Sequence, residues 1–353
     1  MKKILYMMGI DWYWIKQRPQ IFAEMLDEDY EVTVIYPKEV FHHISLRKDQ
    51  DELHDSKAVA AIPYRDKLRS AFFVQKMLYR LKIHEYDRYD MIWIGHPLLY
   101  RYLPSKVAAK IVYDCMDNHV ALCNDNRIKK VIRKTERDLI HRADLILASS
   151  NGLRQKIKQI DSKKQVELVR NGFKKEEVLF YEKNEKKNSW KIGYIGTIAE
   201  WFDFQLLEAS LKKFSNIEYF LWGPLAVSKP QEHSKIHFKG VLEHKDIAKA
   251  VADMDCLIMP FKVNSIIEDV DPVKLYEYIN MGKAIIVPYY KEIERFRPFV
   301  SFYQDQKSFF KVLENFQKED FCPNYTEKEK NDFLDKNTWK CRYTQIKEYL
   351  NTL

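Results

Sequence analysis

Along most of this chain, short apolar runs alternate with longer stretches whose apolar residues recur at helical spacing, and no other pattern constrains its fold as tightly. Parallel strands need a crossover between them, so this alternation reads as successive βαβ units. The runs predict strands over Lys3–Ile10, Glu31–Tyr36, Met91–Gly95, Lys110–Asp114, Asp144–Ser149 and Val166–Val169. Between them, helices are predicted over Pro19–Leu26, Ser70–Ile83 and Arg127–His141. A charged stretch, Lys174–Ser189, then interrupts the pattern with the composition of a linker. From Trp190 a second series begins, with strands expected at Lys191–Ile195, Ile217–Trp222, His237–Lys239, Cys256–Met259 and Ala284–Val287. Its helices are expected over Phe204–Phe214, His244–Met254 and Pro272–Met281. The fold class is therefore α/β, with two Rossmann-like doubly wound parallel-sheet domains. Their expected bounds are 1–172 and 190–330, with a linker over 173–189. Ligands in such folds bind outside the carboxyl ends of the strands.

Size and composition agree with two domains. The chain has 353 residues, 46% of them hydrophobic and 14% aromatic, enough to build real cores. Lys and Arg number 59 against 51 Asp and Glu, a formal charge of +8. That excess suits an anionic partner, whether a nucleotide diphosphate, a polyanionic polymer or a membrane surface. The five cysteines are dispersed without a Cys-x-x-Cys pair, which argues against a disulfide framework or zinc site and for a reducing compartment. The opening Met1-Lys-Lys-Ile-Leu-Tyr-Met-Met-Gly-Ile10 imitates a signal peptide, but Asp11 breaks the apolar run too early. It reads better as a first buried strand. The expected location is cytoplasmic, peripheral on the inner face of the cell membrane if the basic helices described below engage it.

Asp271-Pro-Val-Lys-Leu-Tyr-Glu-Tyr-Ile-Asn-Met-Gly-Lys-Ala-Ile-Ile-Val-Pro288 forms a complete short device. Asp271 is placed to cap a helix, Pro272 to occupy its first position, and Gly282 to stop it before a buried strand. Lys274 and Glu277, three residues apart, share one helical face. A cation one turn into a positively polarised helix start suits a diphosphate, and the carboxylate beyond it can accept ribose hydroxyls. The same spacing also suits an ordinary surface ion pair.

This segment resembles the donor-site signature Pro-x-Lys-x-x-Glu-Tyr-x-x-x-Gly-Lys-x-x-Val of GT-B glycosyltransferases, near the large retaining family four. The family's first glutamate position is held here by Asp269 and the second by Glu277. The resemblance implies two domains facing each other across a cleft, with the nucleotide sugar in the second. It implies donor contacts from Asp269, Lys274, Leu275 and Glu277. It also implies that the final segment, 331–353, crosses back to the first domain; Trp339, Tyr343 and Ile346 recur there at helical spacing.

Four further segments of the second half fit the same order. Lys191-Ile-Gly-Tyr-Ile-Gly-Thr-Ile-Ala-Glu-Trp-Phe-Asp203 resembles the opening of the second domain in bacterial polysaccharide glycosyltransferases. Gly196 and Thr197 would let backbone amides approach a phosphate, although such a turn is often a plain connection. The Arg and Lys usual after this loop are missing, so Lys262 or Lys274 must supply the charge. Trp222-Gly-Pro224 ends a second strand, and Gly240-Val-Leu-Glu-His244 follows a third; the resemblance implies that this last loop, from Gly240, lies against the nucleobase. Asp253-Met-Asp-Cys-Leu-Ile-Met-Pro-Phe-Lys262 resembles the strand next to the sugar.

In the first half, Asp11-Trp-Tyr-Trp-Ile-Lys-Gln-Arg-Pro-Gln20 resembles an element of glycosyltransferases that assemble teichuronic and capsular polymers. Arg18 there could clamp a phosphate or carboxylate of the acceptor. Trp12, Tyr13 and Trp14 could stack on acceptor sugars, Trp14 being the chosen candidate, or could plug a hydrophobic gap. Val112-Tyr-Asp-Cys-Met-Asp-Asn-His119 brings Asp114, Asp117 and His119 to a strand end. Asp117 is the candidate base for an acceptor hydroxyl, with His119 as its alternate, while Asp114 and Asp117 could equally cap the following loop. No cofactor and no catalytic metal are expected, because the family does without one.

Arg127–Arg142 and Ser70–Lys82 read as basic amphipathic helices, suited to an anionic lipid surface near a polyprenyl-linked acceptor or to a solvated charged face. No nucleic-acid motif accompanies them. The expected function is transfer of a sugar from a nucleotide diphosphate, UDP being commonest in the family, to a saccharide or lipid-linked saccharide in bacterial surface polysaccharide synthesis. Two alternatives stay open: a nucleotide-sugar epimerase of the same fold and a non-catalytic partner subunit.

Overall fold

The structure, a computed structural model, describes residues 1–39, 55–175, 189–228, 233–242 and 246–353. The predicted linker and the start of the helix expected at His244–Met254 lie largely outside the described residues. The chain divides into two compact units, one of residues 1–171 with 339–353 and the other of residues 172–338.

In the first unit the order is β1 (Lys3–Met7), α1 (Arg18–Asp27), β2 (Glu31–Glu39), β3 (Asp55–Ala61), α2 (Arg69–Ile83), β4 (Met91–Ile94), β5 (Lys110–Cys115), α3 (His119–Leu122), α4 (Asn126–Arg142), β6 (Leu145–Ala148), α5 (Asn151–Ile160) and β7 (Val166–Leu168). The seven strands form one parallel sheet in the order β3-β2-β1-β4-β5-β6-β7. Its central strands are buried on both faces, as in Ile4–Met7 and Met91–Ile94, which is why they read as unbroken apolar runs. The order of connection reverses between β1 and β4. That pair opens a crevice at its carboxyl end.

The second unit continues with β8 (Trp190–Ile195), α6 (Phe204–Lys213), β9 (Ile217–Trp222), β10 (Ile236–Gly240), α7 (Ile247–Ala252), β11 (Cys256–Ile258), α8 (Val273–Asn280), β12 (Ala284–Pro288), β13 (Ser301–Tyr303), α9 (Gln306–Lys318) and α10 (Glu327–Asp335). Its six strands are again all parallel, in the order β10-β9-β8-β11-β12-β13, and reverse between β8 and β11. Gly282 takes φ +62° just past α8 and its N–H returns to the Ile279 carbonyl at 3.0 Å, so the helix stops where the sequence placed the stop.

The last helix, α11 (Trp339–Leu350), belongs to the first unit. Trp339 packs edge-on against Phe22 of α1, and Tyr343 Oη donates to Asp29 Oδ2 at 2.6 Å. The segment that joins the first unit begins at Trp339, whereas 331–338 stay with the second.

Two strands had no forecast. β3 is an edge strand whose apolar run is mostly alanine around a single Val59, and β13 is only three residues long.

Candidate functional site

At the carboxyl edge of the second sheet, the ends of β8, β9 and β10 are laced together through three glycines. Gly196 N–H donates to the Trp222 carbonyl and Gly223 N–H to the Gly240 carbonyl, each at 2.8 Å. Gly196, Gly223 and Gly240 take φ values of +153°, +137° and +74°. A Cβ on Gly223 would be driven into the Gly196 carbonyl, so glycine is required there by contact as well as by dihedral.

Lys274 lies directly over this edge. A Cβ on Gly196 would collide with its Cε and stand 3.1 Å from its Nζ. The placement follows from how α8 is pinned: Ile195 N–H donates to Tyr278 Oη at 2.9 Å, and that hydroxyl faces the Ile195 carbonyl at 3.4 Å. Tyr194 Oη in turn donates to the Thr197 carbonyl at 2.8 Å, fixing the turn after β8. The Thr197 N–H has no hydrogen-bond partner among the described residues. A cation, an unengaged amide and the start of a helix thus converge beside a glycine, which is the donor set of an anion site.

Lys274 and Glu277 are half-exposed on a helix otherwise buried from Leu275 onward. Among the described residues neither makes an ion pair or a side-chain hydrogen bond, so the surface-pair reading does not hold. Asp269 is buried in a short turn before α8, and Lys262 is exposed on the loop after β11, with its N–H on the Trp201 carbonyl at 2.7 Å. Gly240 has open space where a Cβ would stand.

Two expectations here are corrected. The capping position is Pro272, and the buried Asp271 carboxylate pairs with Arg295, which also donates to Tyr276 Oη at 2.7 Å. The Leu275 side chain is fully buried in the core, and its N–H is taken by the Pro272 carbonyl at 3.1 Å, so it offers nothing to a donor.

In the first unit the crevice between β1 and β4 is lined by groups that chain separation had hidden. Gly9 follows β1 and His96 follows β4, so close that a Cβ on Gly9 would stand 2.7 Å from the His96 Cβ. The His96 and His119 rings lie 4.3 Å apart. His96 Nδ1 accepts from Leu98 N–H at 3.1 Å, which puts the proton of the neutral ring on Nε2. Burial holds His96 down to about 4 and His119 well below the usual imidazole range. The buried Nε2 of His119 has no partner among the described residues.

The Asp117 carboxylate, mostly buried, makes no hydrogen bond or ion pair among the described residues and so caps nothing, while the Asp117 carbonyl accepts from His119 N–H at 3.0 Å. Burial, against the pull of Arg18 and with the push of Asp114, raises it to about 6. His96 was missed because its neighbours are set by sheet order; the strand-ending Gly95-His-Pro97 was the available signal.

Arg18 is the largest correction in this unit. It is only 4% exposed, and Nε and Nη2 grip Asp114 at 2.8–3.1 Å. Nη1 donates to the Val169 carbonyl at 2.8 Å and also reaches the Arg170 carbonyl and Asn171 Oδ1. Its donors are engaged within the unit, where it ties α1 to β5 and to the end of β7. Trp12 is buried and plugs the core, whereas Trp14 is 37% exposed and free to stack.

Two all-parallel α/β units, each reversing at its centre and carrying its polar groups at strand ends, define the GT-B fold class. No protein-family model matches the chain. It is 25% identical over 333 residues to TuaH of Bacillus subtilis (strain 168), named a teichuronic acid biosynthesis glycosyltransferase, covering 78% of this chain and 82% of that one. Among solved structures it is similar to sucrose-phosphate synthase from Thermosynechococcus elongatus, with TM-score 0.76 at 12% identity over 100% of this chain and 99% of the other. It is also similar to HepE from Anabaena, solved with UDP and glucose, with TM-score 0.67 at 12% identity over the whole of both chains. The resemblance drawn from the sequence is borne out by both comparisons.

Proposed function

We propose that this chain is a glycosyltransferase of bacterial polysaccharide biosynthesis that takes its sugar from a uridine diphosphate donor. The observation that carries the reading is Lys274 held over Gly196 beside the unengaged Thr197 amide. Lys274 would offset the charge that develops on the departing diphosphate, and Glu277 would accept the ribose hydroxyls. Asp117 would take the proton of the acceptor hydroxyl, whose oxygen bonds to the anomeric carbon. The bond to the diphosphate breaks and its electron pair leaves with the phosphate oxygen. Trp14 would stack on an acceptor sugar. The transfer is proposed as hexosyl transfer without a catalytic metal, onto a saccharide or a polyprenyl-linked saccharide. HepE with UDP and glucose, and TuaH by its name, support the donor and the polymer class.

Calorimetric titration with uridine, guanosine, adenosine and thymidine diphosphates tests the donor assignment. Selective uridine diphosphate binding that is lost in Lys274→Ala and weakened in Glu277→Ala supports it. Failure to bind any of the four overturns it.

A further inference from the structure

Helix α2 is apolar on two opposite sides, and the fold uses only one of them. Its inner side is fully engaged: Tyr79 stacks on Tyr102 at 4.4 Å, and Ile83 joins the core. Gln75, buried, accepts from Ile62 N–H at 2.7 Å and donates to the Ala60 carbonyl at 3.0 Å, locking the helix to the end of β3. The rotation of the helix about its axis is therefore fixed. On the outer side Phe73, Val74, Met77 and Leu81 are each half or more exposed, and Tyr64 and Leu68, just before the helix, are exposed as well. A contiguous exposed apolar stripe on a helix whose opposite side already fills the core marks an interaction surface, so this outer stripe calls for a covering phase.

The charges beside it indicate which phase. Arg69, Lys76 and Arg80 run along one flank of the stripe, and among the described residues none of them makes an ion pair. Arg69 leans over the Phe73 ring at 5.8 Å. The connections β3 to β4, β4 to β5 and β5 to β6 all progress the same way across the sheet, so right-handed crossovers put α2 and α4 on one face of it. Lys67 Nζ meets Asp125 Oδ2, the cap of α4, at 2.7 Å, joining the starts of the two helices. Helix α4 exposes Arg127, Lys130, Arg133, Lys134 and Arg137 and turns its apolar residues inward. The two basic helices thus differ: α4 presents charge alone, whereas α2 presents an apolar stripe with a cationic border.

We infer that α2 docks this unit on an anionic phospholipid bilayer, its Phe73, Val74, Met77 and Leu81 entering the interface while the cations of α2 and α4 meet the headgroups. An apolar stripe bordered by unpaired cations is what an interfacial helix requires, and anionic lipid complements both helices at once. The inference goes beyond the donor chemistry and stands or falls separately from it.

Co-sedimentation of the full chain with phosphatidylglycerol vesicles, against phosphatidylcholine vesicles, tests it. The chain should pellet with the former, less so as salt rises, and not with the latter. The triple variant Phe73→Ser, Met77→Ser, Leu81→Ser should weaken that binding by roughly tenfold or more, and Arg69→Glu with Lys76→Glu and Arg80→Glu should do the same. Both alter residues outside the core, and uridine diphosphate titration of each reports separately on the donor site. An environment-sensitive dye on Met77→Cys should shift to the blue with phosphatidylglycerol vesicles, and the same dye on Lys134→Cys should shift less. Equal binding to both lipids, undiminished binding by the serine variant, or no dye shift overturns the inference. So does a dimer in size-exclusion chromatography that the serine variant abolishes while no vesicle binding is seen, which would make the stripe a contact between two copies.

Discussion

Tyr278 reaches from α8 to the last residue of β8, where its hydroxyl takes the Ile195 N–H at 2.9 Å, and this single contact sets where Lys274, one turn earlier, stands over Gly196. Replacing Tyr278 with Phe keeps the ring in the core and removes the tether. The Ile195 amide is then left without its partner, at about 1–3 kcal/mol of stability. Urea unfolding should show that loss, and calorimetry should show weakened nucleotide binding because Lys274 is no longer held in register.

The closeness of Lys274 to Gly196 gives a second prediction. Gly196→Ala places a methyl group against Lys274 Cε and should lower uridine diphosphate affinity by about tenfold, or 1.4 kcal/mol. Lys274→Ala should lower it at least as far. Because both changes act on one ammonium, the double variant should cost less than the two losses added together, which a double-mutant cycle in calorimetry would reveal.

Arg18 separates a brace from a ligand. Truncating one side of a buried, hydrogen-bonded ion pair costs about 3–5 kcal/mol, so Arg18→Ala should lower the unfolding midpoint sharply. Arg18→Lys should recover only part of it, since a lysine cannot grip Asp114 and the Val169 carbonyl at once. A stable Arg18→Ala with selectively raised acceptor KM would contradict the brace.

The crevice of the first unit predicts a pH response in two parts. Asp117 is raised to about 6 in the folded chain, so it adds stability at low pH that fades as pH rises through about 6. His96 and His119 are depressed, so they add stability above the unfolded imidazole value near 6.5 that is lost as pH falls towards 4. Two groups outweigh one, and the wild type should lose stability on acidification between these values. Asp117→Asn should steepen that loss and raise stability at neutral pH; His96→Gln should flatten it. If Asp117 is the base, turnover should climb through pH 6 as the carboxylate ionises, a limb absent from Asp117→Asn.

How far the sequence reveals this molecule depends on the range of the interaction concerned. β9 is found at Ile217–Trp222, as its apolar run and flanking turns foretold, and Gly282 ends α8 through dihedral freedom that is local to one residue. Lys274 and Glu277 are three residues apart on one helix, so their shared face needed no tertiary knowledge. Arg18 and Asp114 are 96 residues apart, and nothing in either segment shows that they meet. The same holds for Asp271, whose placement before a helix signalled a cap while its real partner, Arg295, lies 24 residues on. His96 became visible only when the sheet order set β4 against β1. β3 escaped because its apolar run is mostly alanine, a residue with little strand preference, around the single β-branched Val59.

Helix α11 comes after the whole second unit in the chain yet completes the first. A ribosome therefore releases the second unit able to close its own core while the first still lacks Trp339 against Phe22 and Tyr343 on Asp29. The usual order of assembly, amino-terminal domain first, is inverted for the final step. Until α11 arrives, α1 carries an open apolar seam, and a nascent chain stalled anywhere in the second unit would present that seam to chaperones.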